Sequence, residues 1–179
     1  MLTGSGSQPV MHPPLLNLYF SGLRMMMDAK EMILEPATLT DIPVLSDLLS
    51  ILFAQEAEFT PNPDAQANGL GLIVGNPAVG VVLVARLEGQ VIAMVNLLYT
   101  VSTALGGKVA IMEDMVVHPD HRGSGTGSQL LAFAITYARK AGCKRISLLT
   151  DGDNESAQGF YGKQGFRMSE MKTMRLSLS

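Results

Sequence analysis

Glu113-Asp114-Met115-Val116-Val117-His118-Pro119-Asp120-His121-Arg122-Gly123-Ser124-Gly125-Thr126-Gly127 decides how this chain is read. The stretch starts as an apolar strand, breaks at Pro119 and becomes a glycine-rich loop. A helix is predicted after it over Gln129 to Ala141, with Leu131, Ala134, Ile135 and Ala138 on one face. A strand that feeds a glycine turn and then a helix start is an anion-binding device. The first N–H groups of the helix have no intrahelical acceptor, and the helix dipole adds partial positive charge there. Glycine lets the backbone approach a phosphate closely and permits positive φ. Two better-known glycine loops fit poorly. A nucleotide P-loop ends in Gly-Lys-Ser/Thr, whereas Ser128 and Gln129 follow Gly127 here. A dinucleotide loop wants a third glycine where Ser128 stands. It also wants an acidic residue about 20 positions on, where this chain has Lys144-Arg145-Ile146.

The flanking segments give the architecture. Met32 to Ala37 alternates weakly and stops at Pro36, as an edge strand does. Thr40 or Asp41 is suited to cap a helix that runs to about Glu58, with Ile42, Leu45, Leu48, Leu49 and Leu52 on one stripe. Thr60 to Asp64 is a proline-rich loop, and Asp64 to Val74 a second helix. Gly80–Arg86, Val91–Val101 and Val109–Val117 are three strands joined by turns at Glu88-Gly89 and Gly106-Gly107, which makes an antiparallel meander. Arg145 to Thr150 is a strand that must run parallel to the one ending at Val117, because a helix lies between them. Asp153 or Asn154 caps a short helix to about Gly165. A terminal hairpin, Phe166–Met168 with Lys172–Leu178, is expected to close the chain. The fold class is therefore α/β: a mixed, mostly antiparallel sheet with one central parallel pair, flanked by about four helices.

Composition narrows the class. With 179 residues, 47% hydrophobic and 16% charged, the chain is long enough for one domain with a full core. A net charge of −3 argues against a nucleic-acid partner. No apolar run reaches the ~20 residues of a membrane span. The single Cys143 excludes a disulfide framework and a cysteine-rich metal site, and fits a reducing, cytoplasmic setting. His118 and His121 have no spaced carboxylates or cysteine to complete a metal site, so no metal is expected. Residues 1–27 read as a leader or tag-derived segment. They are rich in Gly, Ser and Pro, and Asn17–Gly22 resembles a tag-cleavage sequence. The functional domain is expected over 28–179.

Two blocks then carry a family resemblance. Arg122-x-x-Gly125-x-Gly127 matches the Q/R-x-x-G-x-G/A signature of the GNAT superfamily of N-acetyltransferases. Asn154-Glu155-Ser156-Ala157-Gln158-Gly159-Phe160-Tyr161-Gly162-Lys163-Gln164-Gly165-Phe166 is similar to its N-x-x-A-x-x-F-Y-x-x-x-G-F block. The order and separation of the blocks also match, and the resemblance runs from about Met32 to the C-terminus.

The resemblance implies acetyl-CoA as donor. Backbone amides of Arg122, Gly123, Ser124, Gly125, Thr126 and Gly127 would hold its pyrophosphate. The strand edge at Met115, Val116 and Val117 would hydrogen-bond the pantetheine arm, with Asn154 on its far side. An N–H of Val116 or Val117 would polarise the thioester carbonyl. A protonated amine must lose a proton before it attacks. Adjacent strand residues face opposite sides, so one of Glu113 and Asp114 should face the acceptor. Glu-Asp here resembles the polyamine- and diamine-acetylating members, which makes Glu113 the base and Asp114 a binder of the cationic amine. Tyr161 would return a proton to the leaving thiolate, and Phe160 would be core. Glu56, with Glu58 and Asp64, would make the acceptor mouth acidic. The expected activity is acetyl transfer to a small primary amine in a ternary complex, in a possible homodimer. Cys143 lies past the far end of the helix from the loop, which disfavours an acetyl-cysteine route. Peptide acetylation and a non-catalytic acyl-CoA-binding module are the alternatives.

Overall fold

The computed structural model describes residues 31–55 and 60–178. The expected leader and the acidic candidates Glu56 and Glu58 lie outside them. Among the described residues the chain runs β1 (Met32–Pro36), α1 (Ile42–Phe53), α2 (Pro63–Val74), β2 (Gly80–Leu87), β3 (Gln90–Ser102), β4 (Gly107–Val117), α3 (Thr126–Lys140), β5 (Ile146–Leu148) and α4 (Glu155–Gly162). The strands form one sheet in the order β1-β2-β3-β4-β5. Every pairing is antiparallel except β4 with β5, which is parallel through Ala110–Met112 and Ile146–Leu148.

Period-2 and period-3.6 patterning accounts for both layers. On one face of the sheet, Leu83, Ala85, Val95, Leu97, Ala110 and Met112 pack against Leu130, Leu131, Ala134 and Ala138 of α3. On the other, Val82, Val84, Met94 and Val116 pack against Leu45, Leu48 and Leu49 of α1 and Leu70 of α2. The β2–β3 hairpin closes as expected at Glu88-Gly89, both with positive φ (49° and 81°), the conformation of a type I′ turn.

One local expectation is refined and two are corrected. The chain enters α1 through a short 3-10 turn, Leu39–Asp41, capped at Thr38, and Asp41, one of the two expected caps, is the N-cap of α1. The Thr38 N–H donates to Asp41 Oδ2 at 2.8 Å, and Arg86 of β2 donates to Asp41 Oδ1 at 3.1 Å and to Glu35 of β1 at 2.8 Å. That network holds the start of α1 to the β1–β2 edge. Next, α3 begins at Thr126, three residues earlier than the sequence suggests, so Gly127 is in its first turn. Finally, the terminal hairpin does not form: Phe166 to Leu178 has no strand, and Met171, Met174 and Leu178 are 90–95% exposed. The connection between the two expected arms, Ser169-Glu170-Met171, lacks the Gly that a three-residue hairpin loop favours at its left-handed position. It folds locally instead, with the Ser169 hydroxyl accepting the Met171 N–H at 3.2 Å. A lone hairpin also buries too little to hold itself.

Candidate active site

The decisive irregularity is in β4. Asn96 of β3 pairs with Glu113 and Met94 pairs with Val116, so Asp114 and Met115 together oppose Val95 alone. This is a β-bulge, and Asp114 sits in it with φ of 52°. A left-handed non-glycine residue costs about 1–2 kcal/mol, and Asp is among the types that tolerate it. The extra residue inverts the parity of everything after it. Before the bulge, the Ala110 N–H reaches Arg145 beside β5; after it, the His118 N–H reaches Ile92 of β3. Alternation then turns the Val116 N–H toward Met94 of β3, and those of Met115 and Val117 outward to the β5 side. The β4–β5 ladder has already ended at Met112–Leu148. The free strand edge is thus offered by Met115 and Val117, while Val116 is buried in the ladder.

Strict alternation of Glu113 and Asp114 also fails at the bulge. Glu113 is exposed on the α1 face of the sheet, opposite the α3-facing Met112. Asp114 is half-buried, and its carboxylate accepts a 2.5 Å hydrogen bond from Asn96 Nδ2. Asn96 is 2% exposed, and its Oδ1 has no hydrogen-bond partner among the described residues. Leaving such an acceptor unmet in the interior costs about 1–3 kcal/mol.

The loop after β4 is braced from inside. Pro119–His121 is a 3-10 turn capped by His118. Arg122 Nε donates to Val117 O at 3.0 Å, and the Ser124 hydroxyl donates to His121 O at 2.7 Å. Val117 therefore keeps its N–H for the open edge while its carbonyl is taken by Arg122. Gly125 is the N-cap of α3 at φ 87°, with no side-chain cap over the first turn. The amides of Thr126, Gly127 and Ser128 have no intrahelical acceptor. At Gly127 an added Cβ would lie 3.4 Å from Val117 Cγ2 and 3.6 Å from Phe160 Cζ, at ordinary van der Waals contact. That contact joins the end of β4, the first turn of α3 and α4.

On α4, Asn154 is the N-cap, its Oδ1 accepting the Ala157 N–H at 3.0 Å. The Tyr161 ring packs edge-on against Phe160 (5.1 Å between centroids) and Phe166 (5.8 Å). It touches the same core cluster as Met115 and Val117. Burial pushes its phenol above the ordinary value, so the proton stays on through neutral pH. Burial likewise raises the Cys143 thiol, which keeps it a thiol rather than a nucleophilic thiolate. Tyr99, near the end of β3, is pushed up to about 12 by burial. Among the described residues no group of His, Cys, Asp and Glu is placed to hold a metal ion, and no helix is long and apolar enough to cross a membrane.

The fold thus brings Glu113, Asp114, Met115 and Val117, the loop Arg122–Gly127, and Phe160 and Tyr161 to one end of β4. The unpaired amides at a helix start and the open strand edge suit an extended ligand with an anionic part. An open groove of about 390 Å³, lined by Arg139, Cys143, Arg145 and Phe166, lies at the other end of α3 and shares none of these residues. Sequence reasoning missed Asn96. Its signal was there: one polar residue in the otherwise apolar run Val91 to Leu98.

Comparison with known proteins points the same way. The model of the acetyltransferase (GNAT) family matches residues 45–166. The aminoalkylphosphonate N-acetyltransferase of Salmonella typhimurium is 29% identical over 139 residues, 78% of this chain and 87% of that protein. The glucosamine 6-phosphate N-acetyltransferase of Trypanosoma brucei brucei is 34% identical over 91 residues, 50% of this chain and 59% of that protein. Across four curated relatives the matched part is 58%, 87%, 59% and 28% of their own length. Among solved structures, an integron cassette protein from the mobile metagenome of Cole Harbour salt marsh superposes with a TM-score of 0.71 at 26% identity, over 91% of this chain and 97% of the other.

Proposed function

Because this chain belongs to the acetyltransferase (GNAT) family, we propose that it transfers the acetyl group of acetyl-CoA to the primary amine of a small molecule, by direct attack in a ternary complex. The observation that carries the proposal is the bulged end of β4. It offers two outward N–H groups, a carboxylate pair and a braced anion loop within one strand-loop-helix unit.

Acetyl-CoA, when bound, supplies an activated thioester. The amides from Gly123 to Gly127 hold its pyrophosphate, aided by the α3 dipole; that of Arg122, expected to join them, is donated to Pro119 O at 3.2 Å. The N–H groups of Met115 and Val117 take the pantetheine arm as an added strand would. The Val117 N–H is also the donor for developing negative charge on the thioester oxygen; Val116, turned into the ladder, is not. Asn154 meets the arm with the amide nitrogen that its helix cap does not use. On the α1 face, Glu113 accepts a proton from the substrate ammonium, directly or through water, and so frees the neutral amine to attack the thioester carbonyl. Asp114 binds the cation, and Tyr161 gives a proton to the departing sulfur. Glu56 would add acidity at the mouth. The domain that performs this spans 28–179, and a homodimer in the cytoplasm is the setting we infer for it.

The resemblance to diamine and polyamine acetylating members and the names of the relatives suggest different amines. Those of aminoalkylphosphonate and glucosamine 6-phosphate carry an anion; polyamines do not. A CoA-release assay with spermidine, 2-aminoethylphosphonate, glucosamine 6-phosphate, an aminoglycoside and a peptide panel separates them. Turnover of only the peptides would replace the small-molecule reading. Acetyl-CoA binding with no turnover of any amine would indicate a binding module.

A further inference from the structure

We propose that Asn96 is the positioning residue that holds the Asp114 carboxylate in the acceptor site, so that Asp114 acts as a fixed anion and the proton-accepting role is left to Glu113. The inference rests on the reading of Asp114 as the amine-binding carboxylate. Asn96 is directly opposite Glu113 in the β3–β4 register and bonded to Asp114. It therefore bonds to one member of the pair and stands in register with the other, from the strand next door. A carboxylate only accepts, so the amide atom facing Asp114 has to be Nδ2, and Oδ1 must point elsewhere. It is buried and finds no partner among the described residues. An apolar side chain would avoid that cost in a strand whose neighbours Met94, Val95 and Leu97 are fully buried. Asp114 itself stands in a backbone conformation that glycine would adopt more easily. Two unfavourable features meet at one hydrogen bond beside the open strand edge. Strain of this kind clusters where geometry serves function. A bond donated to a carboxylate favours its charged form, which suits an ammonium-binding group better than a base.

The test uses the whole chain and three variants: Asn96→Leu, Asp114→Asn, and the exchange Asn96→Asp with Asp114→Asn. Kinetics use the panel amine that the wild type turns over fastest. For Asn96→Leu we expect the KM of that amine to rise about tenfold or more, with kcat within threefold and the KM of acetyl-CoA within twofold. Its melting temperature should equal or exceed that of the wild type. The exchanged variant can restore the hydrogen bond but moves the charge to β3, so amine KM should stay high. Wild-type amine KM in either Asn96→Leu or the exchanged variant would overturn the proposal. A second readout does not need turnover. The carboxyl carbon of Asp114, assigned by its loss in Asp114→Asn, is titrated by NMR in the wild type and in Asn96→Leu. A midpoint that rises in Asn96→Leu supports the clamp, and an unmoved midpoint refutes it. If acetyl-CoA binds but no amine is turned over, the functional reading fails, and the titration alone decides the clamp.

Discussion

Gly125 and Gly127 stand two residues apart, yet the structure requires glycine only at Gly125, and single alanine substitutions should separate the two. At Gly125 the reason is φ, 87° at the helix N-cap. An alanine there meets the left-handed penalty of about 1–2 kcal/mol. At Gly127 the backbone is ordinary helix, and an added Cβ would come to rest 3.4 Å from Val117 Cγ2 and 3.6 Å from Phe160 Cζ, at van der Waals contact. Alanine inside a helix is favoured over glycine by about 1 kcal/mol. Gly127→Ala should therefore be neutral or stabilising by up to about 1 kcal/mol, and Gly125→Ala destabilising by 1–2. For a unit of about 150 residues, Met32–Ser179, each kcal/mol moves the melting temperature by about 2–4 °C. Thermal melts by circular dichroism should place Gly125→Ala about 2–8 °C below the wild type, and Gly127→Ala level with it or up to about 4 °C above. Repeating the melts with acetyl-CoA adds the functional half, since a ligand that binds only the native state raises the melting temperature by mass action. The upward shift should shrink in Gly125→Ala, whose loop amides are displaced, and persist in Gly127→Ala. If Gly127→Ala proves the more destabilising, or if acetyl-CoA shifts Gly125→Ala as far as the wild type, the account of this loop is wrong.

Three further outcomes follow from the same geometry. Tyr161→Phe keeps the ring contacts, so its melting temperature should stay within about 2 °C of the wild type. Its kcat should fall at least tenfold, within the range of a lost general acid. Since burial raises the phenol, wild-type kcat should show no alkaline fall from this group below about pH 10; full kcat in the phenylalanine variant would remove Tyr161 from the mechanism. Glu113→Gln should lower kcat by about a hundredfold while leaving acetyl-CoA binding, measured by calorimetry, unchanged; a weakened donor affinity instead would show that Glu113 is structural. For Asp41, burial alone would raise the carboxyl, but the bonds from Thr38 and Arg86 outweigh it and hold it below the ordinary 3.8. A depressed carboxyl stabilises the fold above its unfolded value and loses that contribution as pH falls through the folded one. Asp41→Ala should cost about 1–3 kcal/mol at pH 7 in urea melts, and the gap should close only below pH 3.8; a gap that stays constant into acid would mean the network matters for packing rather than charge.

What the sequence made legible follows from what periodicity can carry. Leu45, Leu48 and Leu49 on α1, and Leu131, Ala134 and Ala138 on α3, each mark a helical stripe, and both stripes are buried against the sheet. Glu88-Gly89 marks a turn because few residues tolerate its dihedral angles. The terminal hairpin failed for the complementary reason. Met174, Leu176 and Leu178 alternate like a strand, but alternation says only that a face exists, and no described strand lies beyond β5 to pair with it. The Gln129 start of α3 was late because Gly125-Thr126-Gly127 reads as loop by composition, although an unfilled first turn is what a helix N-terminus built for an anion needs.

The bulge is the feature that no pattern could show, and it sorts the roles at the site. A regular β4 would have kept one parity from Lys108 to Val117, since nothing in Met112-Glu113-Asp114-Met115 announces an extra residue. Its edge would then have offered the N–H of Val116 rather than those of Met115 and Val117. Asp114 would have followed Met112 onto the α3 face, away from Glu113. With one residue inserted, Met115 and Val117 turn their side chains into the α3 core and their N–H groups to the open edge. Val116 locks into β3 and α1, and Asp114 reaches Asn96 on the side where Glu113 stands. The amides proposed to bind the donor and the carboxylates proposed to face the acceptor thus leave the same five residues in different directions. Removing the extra residue would cost the site both arrangements together while leaving the sheet able to form.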